Sequence, residues 1–212
     1  MHGFSAAPAS AIPNRALRCR ARFSVAYKNY LCQKMMVKDR EQSRIEALRR
    51  YNILDTPPDG SFDKLTALAS KLFNVPIAII SLVDTDRIWF KSKYGLDVNE
   101  IGRDPGLCAS AILSDDIYLV EDARNDPRTL ANPLVAGEFG LQFYAAAPLH
   151  TSEGHNLGTF CVIDQKKRYF NTNQQDALKL FAEVIVEELE IRLEAHNMLN
   201  DLKTRLELHE KP

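Results

Sequence analysis

No run of eighteen apolar residues occurs in this chain, so no membrane span is indicated. Cysteine is scarce. Cys19, Cys32, Cys108 and Cys161 form no C-x-x-C pair, and no two of them sit at zinc-finger spacing. A disulfide framework is not expected at that density, and free thiols in a reducing, cytoplasmic setting are. The Walker-type glycine loop and the G-x-S-x-G elbow are also missing. His2, His150, His155, His196 and His209 fall at the termini, a strand end and a hairpin, so surface placement is expected for all five. With no nucleophile, base or metal cluster arranged for chemistry, the expectation is a protein that is not an enzyme, with no metal site and no cofactor that can be named.

Acid is absent from residues 1–34. Eight of the 27 bases and a single acid, Asp39, lie in residues 1–40, which leaves 19 bases against 27 acids in the remainder. The basic, Ala- and Ser-rich start has the composition of an organelle transit peptide. Translated upstream sequence ahead of a start at Met35-Met36 explains it better, and a secretory signal fits poorly for want of a clean apolar stretch. Residues 1–40 are therefore expected to add little to the fold. The acidic remainder is a poor partner for nucleic acid, whose phosphates need a basic surface.

The hydrophobic pattern gives alternating helix and strand signals. A short helix is expected over Glu41 to Tyr51 with Ile45 and Leu48 on one face, broken by Asp55-Thr56-Pro57-Pro58-Asp59-Gly60. Phe62, Leu65, Leu68, Ala69, Leu72 and Phe73 recur at helical spacing, with Asn74 and Pro76 ending that helix. Ile77 to Val83 reads as a central strand buried on both faces, and Ile88 to Ser92 as its antiparallel neighbour after a tight turn. Tyr94 to Leu107 reads as irregular, Cys108 to Leu113 as a short helix, Ile117 to Val120 as a short strand and Asp122 to Val135 as turns. Phe143 to Leu149 and Asn156 to Ile163 are further strands, and Gly158 inside the second marks a close approach by backbone or ligand. Thr172 with Gln175 has a capping-box pattern, and no proline or glycine follows from Asn173 to Lys211. Such a helix could reach about 55 Å, against a radius of gyration of about 14 Å for a domain of ~130 residues. Leu178, Ala182, Ile185 and Leu189 make one apolar run, and Ala195, Leu199, Leu202 and Leu206 repeat its spacing after a phase slip. The distal part is expected to project and to pair as a coiled coil, or else to fray as a polar tail.

Taken in order, several of these segments resemble the GAF domain family, in particular the GAF domains found ahead of bacterial histidine kinases and diguanylate cyclases. The resemblance runs through Ile53-Leu54-Asp55-Thr56-Pro57-Pro58, Phe62-Asp63, Val75-Pro76-Ile77-Ala78, Ser81-Leu82-Val83-Asp84, Asp86-Arg87, Trp89-Phe90-Lys91-Ser92 and Gly95-Leu96. It continues through Cys108 with Ala111-Ile112-Leu113, Asp122-Ala123, Asp126 with Arg128, Asn132-Pro133-Leu134-Val135, Phe143-Tyr144-Ala145 with Ala147-Pro148-Leu149, Gly158-Thr159 and Cys161-Val162-Ile163-Asp164. It implies an α+β fold: a central antiparallel sheet of about six strands, terminal helices on one face and a ligand pocket on the other. The domain would occupy residues 41–192, with 193–212 as the projecting helix. Gly106-Leu107 stands where similar domains often have Ser-Phe, and Leu141-Gln142 where they often have Ile-Arg, which bears on any charged ligand but not on the fold. The cysteine motifs of the free methionine sulfoxide reductases, the bilin-attachment context and the cyclic-nucleotide pattern are not matched, and no histidine is placed as a haem ligand.

Candidate ligand-binding residues are Trp89, Lys91, Arg103, Cys108, Asp122, Arg128, Phe143 and Cys161. Trp89 and Phe90 face opposite sides of their strand, as do Phe143 and Tyr144, so one of each pair belongs to the core. The four charged residues would meet a ligand or form ordinary surface ion pairs. Cys108 and Cys161 would face each other across the pocket as a redox pair, or be inert and buried. The expected function is small-molecule sensing in signal transduction. A ligand would shift the helix packing, and a homodimer of terminal helices, or a signalling enzyme in trans, would carry the output. Two alternatives remain open: a thiol-redox enzyme or sensor using Cys108 and Cys161, and a ligand-free dimerisation scaffold whose pocket its own side chains fill.

Overall fold

The computed structural model describes residues 34–209. The chain divides into two units, Met1–Gln42 and Ser43–Pro212. Most of the basic extension, Cys19, Cys32 and His2 lie outside the described residues, and of the first unit only 34–42 are described. Those are helical with largely exposed side chains, the start of α1 (residues 34–50).

The second unit carries α2 (Gly60–Phe73), β1 (Ile77–Val83), β2 (Arg87–Tyr94), β3 (Glu100–Gly102), α3 (Leu107–Ala111), β4 (Tyr118–Val120), α4 (Pro133–Ala136), β5 (Phe143–His150), β6 (Asn156–Asp164) and α5 (Thr172–His209). The six strands form one sheet in the order β3-β2-β1-β6-β5-β4, and each neighbouring pair is antiparallel. The central strands β1 and β6 are buried at every residue, as their near-continuous apolar sequence requires. Strand β3 was not anticipated. Its pattern is only three residues long, Glu100-Ile101-Gly102, and its pairing with Arg87–Trp89 decides its state.

The sequence places Leu68 and Leu72 on the buried face of α2, and the structure corrects this. Phe62, Thr66, Ala69, Ser70 and Phe73 are buried, whereas Leu68 and Leu72 are 54% and 59% exposed. Two hydroxyls displace the leucines because each finds a partner inside. Thr66 Oγ1 lies 3.0 Å from Ser92 Oγ, and Ser70 Oγ donates to the Val75 carbonyl at 2.6 Å. Asp59 caps the start of α2 by accepting from Ser61 N, and Asn74 closes it in the left-handed region at φ 51. The capping box of α5 sits one residue earlier than expected. Asn171 Oδ1 accepts from Gln174 N and Gln174 Oε1 accepts from Asn171 N, and Gln175 instead donates to the Phe170 carbonyl.

Residues 43–50 of α1, together with α2 and α5, cover one face of the sheet. Leu48, Phe62, Phe73, Phe143, Phe160, Leu178, Ile185 and Leu189 belong to that core, and Arg44 Nη1 ties α1 to the end of β1 through the Val83 carbonyl at 2.7 Å. Gly158 permits the β1–β6 pairing: a Cβ there would stand 1.9 Å from the Ser81 carbonyl oxygen. The close approach inferred from that glycine is therefore made by backbone. Helix α5 has 38 residues, about 57 Å at 1.5 Å per residue. Its side chains are exposed from Glu194 through Glu207, including Ala195, Leu199, Leu202 and Leu206.

Candidate functional site

The face of the sheet away from α1, α2 and α5 is closed by short pieces: α3, α4 and the loops around them. Strand alternation sends Ile77, Ile79 and Val83 of β1, Tyr144 and Ala146 of β5, and Cys161 and Ile163 of β6 to this side, where Leu107, Cys108, Ala111, Ile112 and Val135 meet them. These side chains fill the space, and the face is a second core.

Five polar side chains sit at its centre. Ser81 and Thr159 are cross-strand partners, with Ser81 Oγ 2.9 Å from Thr159 Oγ1 and 3.2 Å from the Thr159 carbonyl. Cys161 follows Thr159 on the same face. Cys108, in the first turn of α3, is buried in the same cluster as Cys161, and Tyr144 Oη donates to Cys108 Sγ at 3.2 Å. Both thiols are free, and no buried polar side-chain atom among the described residues lacks a partner. The neighbouring Cys161 thiol is the main influence holding the Cys108 thiol below its ordinary range, with burial opposing it and Ser81, Tyr144 and Thr159 assisting. The same contact and burial push Cys161 up, and burial raises Tyr144. Of the two sulfurs, Cys108 is the one that ionises more readily.

Of the eight candidate ligand residues, only Cys108 and Cys161 come together here. Trp89 and Phe143 point to the helix side and join that core. Lys91 is on the helix side as well, two residues after Trp89, and it is the extra residue of a β-bulge, since Ile80 pairs with Ser92 and Ser81 with Phe90. The bulge brings Ser92 to the same side, where it meets Thr66 and Asp63 of α2. Lys91 is only 5% exposed, its Nζ donates to Thr56 Oγ1 at 2.8 Å and to the Pro57 carbonyl at 2.9 Å, and it lies 5.8 and 6.0 Å from the Phe62 and Trp89 ring centroids. Burial pulls its ammonium below the ordinary lysine value, which Asp59 partly offsets. Arg103 braces the β1–β2 turn through the Asp84 and Thr85 carbonyls. Asp122 accepts from Asn125, while Arg128 grips Asp126 and the Leu119 carbonyl over the Tyr118 ring. Asp122 and Arg128 share a shallow surface recess of about 450 Å³, far along the chain from the Lys91 recess of about 440 Å³ lined by Asp55, Thr56, Pro58, Asp63 and Trp89.

The four charged candidates, half of the eight, therefore hold loops. Lys91 grips Thr56 and Pro57. Arg87 takes Asp55 in a two-bond clamp at 2.9 and 2.6 Å and also reaches Glu100, and Arg192 of α5 reaches Asp59 at 2.5 Å. The Arg192 guanidinium also stacks 4.7 Å from the Phe62 ring. Segment 55–59 is thus clamped from the sheet on one side and from the long helix on the other. Ser81, Thr159 and the Asp59–Arg192 pair were not singled out from the sequence. Their one visible signal is that Thr159 and Cys161 share strand parity. Among the described residues no group of histidine, cysteine and carboxylates stands close enough to hold a metal.

A six-stranded antiparallel sheet with long helices on one face and short segments on the other defines an α+β sheet domain. The GAF domain model matches residues 57–190, and the chain belongs to the GAF domain family. A Pseudomonas aeruginosa protein named as a cyclic di-GMP phosphodiesterase is 43% identical over 128 residues, 60% of this chain, and the chain spans about a fifth of that relative, 22% of its length. The free methionine-R-sulfoxide reductase of Neisseria meningitidis, solved with its substrate, superposes with a TM-score of 0.54 at 16% identity, over 69% of this chain and 87% of that one. A methyl-accepting chemotaxis protein domain gives a TM-score of 0.51 at 18% identity, over 63% and 88%. At those identities the two solved structures speak to fold alone. Among the described residues no helix is long and apolar enough to cross a membrane.

Proposed function

We propose that this chain is a sensory module of signal transduction that catalyses no reaction itself and passes its state through α5 to a second copy of the chain. The observation that carries this reading is the continuity of α5. Leu178, Ala182, Ile185 and Leu189 are buried against the sheet, and the same helix continues into a stretch whose Met198, Leu199, Leu202 and Leu206 are all exposed. An exposed apolar series at helical spacing gains most by pairing with a like helix. The stripe also extends back over the domain through Leu180, Val184 and Ile191, so a partner helix would lie along the domain as well as beyond it. Arg192 sits where the buried and exposed halves meet and is tied to Asp59, so a shift of segment 55–59 is felt by the helix. The relative from Pseudomonas aeruginosa is a much longer protein named for an enzyme, which suits a GAF segment that serves an enzyme without being one. An output enzyme in trans and a cytoplasmic setting, which suits the free thiols, belong to the same reading.

Light scattering on the full chain and on a version ending at Arg192 tests the pairing. A dimer that becomes a monomer on truncation is the expected result, and a monomeric full chain defeats the proposal. The ligand-free scaffold is a second reading, favoured by the filled face opposite the long helices. Native mass spectrometry separates it from small-molecule sensing: a stoichiometric co-purified molecule speaks for the sensor, and a bare chain for the scaffold.

A further inference from the structure

We infer that Cys108 and Cys161 form a reversible dithiol–disulfide couple inside the domain, oxidised by a small hydroperoxide. The inference is independent of helix pairing and of any ligand. It starts from a placement that sequence does not force. One sulfur comes from the first turn of α3 and the other from the middle of β6, yet both side chains are buried in one cluster with Tyr144, whose Oη donates to Cys108 Sγ. They are the two free cysteines among the described residues.

The neighbours suit thiol chemistry. Tyr144 Oη aims its proton at Cys108 Sγ, and Ser81 and Thr159 supply further hydroxyls, so a sulfur that ionises is met by donors in a site without bulk water. Cys108 keeps 6% of its surface exposed and Cys161 none, which makes Cys108 the sulfur that an uncharged oxidant entering past α3 meets first. That helix is five residues long and packs on the sheet as a separate short piece, so a small outward movement is enough to admit a molecule of peroxide size.

The steps balance with hydrogen peroxide as oxidant. The Cys108 thiolate attacks one peroxide oxygen; an S–O bond forms, the O–O bond breaks, and the leaving hydroxide takes the thiol's former proton to become water. Cys108 is then a sulfenic acid. Cys161 sulfur attacks the Cys108 sulfur, the S–O bond breaks, and the second hydroxide leaves with the Cys161 proton as water. Two thiols lose two electrons and two protons, and peroxide is reduced to two waters. A dithiol reductant reverses the change by exchange.

The test treats the full chain with hydrogen peroxide, blocks remaining thiols with an alkylating agent under denaturing conditions, and maps the peptides. Free glutathione in the same tube shows that the oxidant was sufficient. The expected result is a peptide pair joined through Cys108 and Cys161, two hydrogens lighter than the reduced pair and restored by dithiothreitol. In a Cys161→Ala variant, Cys108 has no partner, and its sulfenic acid is expected to be trapped by dimedone. The inference is overturned if the wild-type chain gives no Cys108–Cys161 link while glutathione is fully oxidised. It is equally overturned if Cys108 alone proceeds to the sulfinic acid. The wild-type arm decides the matter even if the variant does not fold.

Discussion

The two faces of the sheet are equally buried and built to opposite plans. On the helix side, long elements lay down an aromatic layer: Phe160 against Phe181, with centroids 5.1 Å apart, and Phe170 wedged between Phe73 and Phe143 at 5.4 Å from each. On the other side, a five-residue helix, a four-residue helix and loops cover a core that carries Ser81, Thr159, Tyr144, Cys108 and Cys161 at its centre. An aromatic layer held by helices of 14 and 38 residues is bound to its neighbours over a large area. A cover of short pieces has few contacts per segment, and its polar centre trades hydrophobic stabilisation for directional bonds. The lesson is a division of labour: the helix side supplies stability, and the short-segment side is where the domain yields.

The sharpest way to break that contrast is Phe160→Ala. The ring is fully buried in the aromatic layer, and its loss is expected to cost about 3–5 kcal/mol, measured by urea unfolding. A cost below about 1 kcal/mol would mean that the helix side is not the stabilising face. Native-state hydrogen exchange sharpens the same comparison. Amides of α3 and α4 are expected to exchange by local opening, well before those of β1 and β6, which open only with the whole domain. Equal protection of the two sets would remove the division of labour.

The fold was far more legible than the site, for a physical reason. Ile77–Val83, Phe143–His150 and Asn156–Asp164 announce themselves because burial on both faces demands apolar residues throughout. The bulge at Lys91 has no comparable signature. Alternation from Trp89 and Phe90 puts Lys91 on the helix side and Ser92 on the other, and the one inserted residue turns Ser92 back to the helix side as well. Leu68 and Leu72 misled for a related cause: pattern alone counts leucine as inside, whereas Thr66 and Ser70 are inside because the tertiary fold brings them partners. The Cys108–Cys161 contact joins residues 53 positions apart across a turn-rich segment, a distance over which no local rule operates.

The clamp between segment 55–59 and α5 links the helix side to the output end, and Asp59→Asn tests it with intermediate effect. Asparagine keeps the cap on α2 but loses the charge pair with Arg192, so a loss of about 1 kcal/mol near neutral pH is expected. The Arg192 hydrogen bond holds the Asp59 carboxyl below the ordinary carboxylate value. Its pairing therefore stabilises the folded chain above the unfolded carboxylate pKa of about 3.9 and is lost as pH falls through the lower folded value. The difference between wild type and variant in thermal unfolding should be present at pH 6 and vanish at acid pH; a difference that grows on acidification would show that Asp59 is not paired.

Tyr144→Phe is expected to have the smallest effect, and its size is informative. Tyr144 is fully buried, and removing its hydroxyl leaves the ring in place against Tyr118, 6.0 Å away. The deleted bond ends on sulfur, a weak acceptor. Sulfur loses little when such a bond is unmade, so no strongly polar buried group is stranded. The change in unfolding free energy should stay below about 1 kcal/mol. Cys108 should nevertheless become harder to ionise, because one donor to its sulfur is gone. Thiol-specific ultraviolet absorbance followed against pH is expected to move the Cys108 transition upward in the variant. An unmoved transition would mean that the hydroxyl does not donate to the sulfur, and that the polar centre of this face is held by the Ser81–Thr159 pair alone.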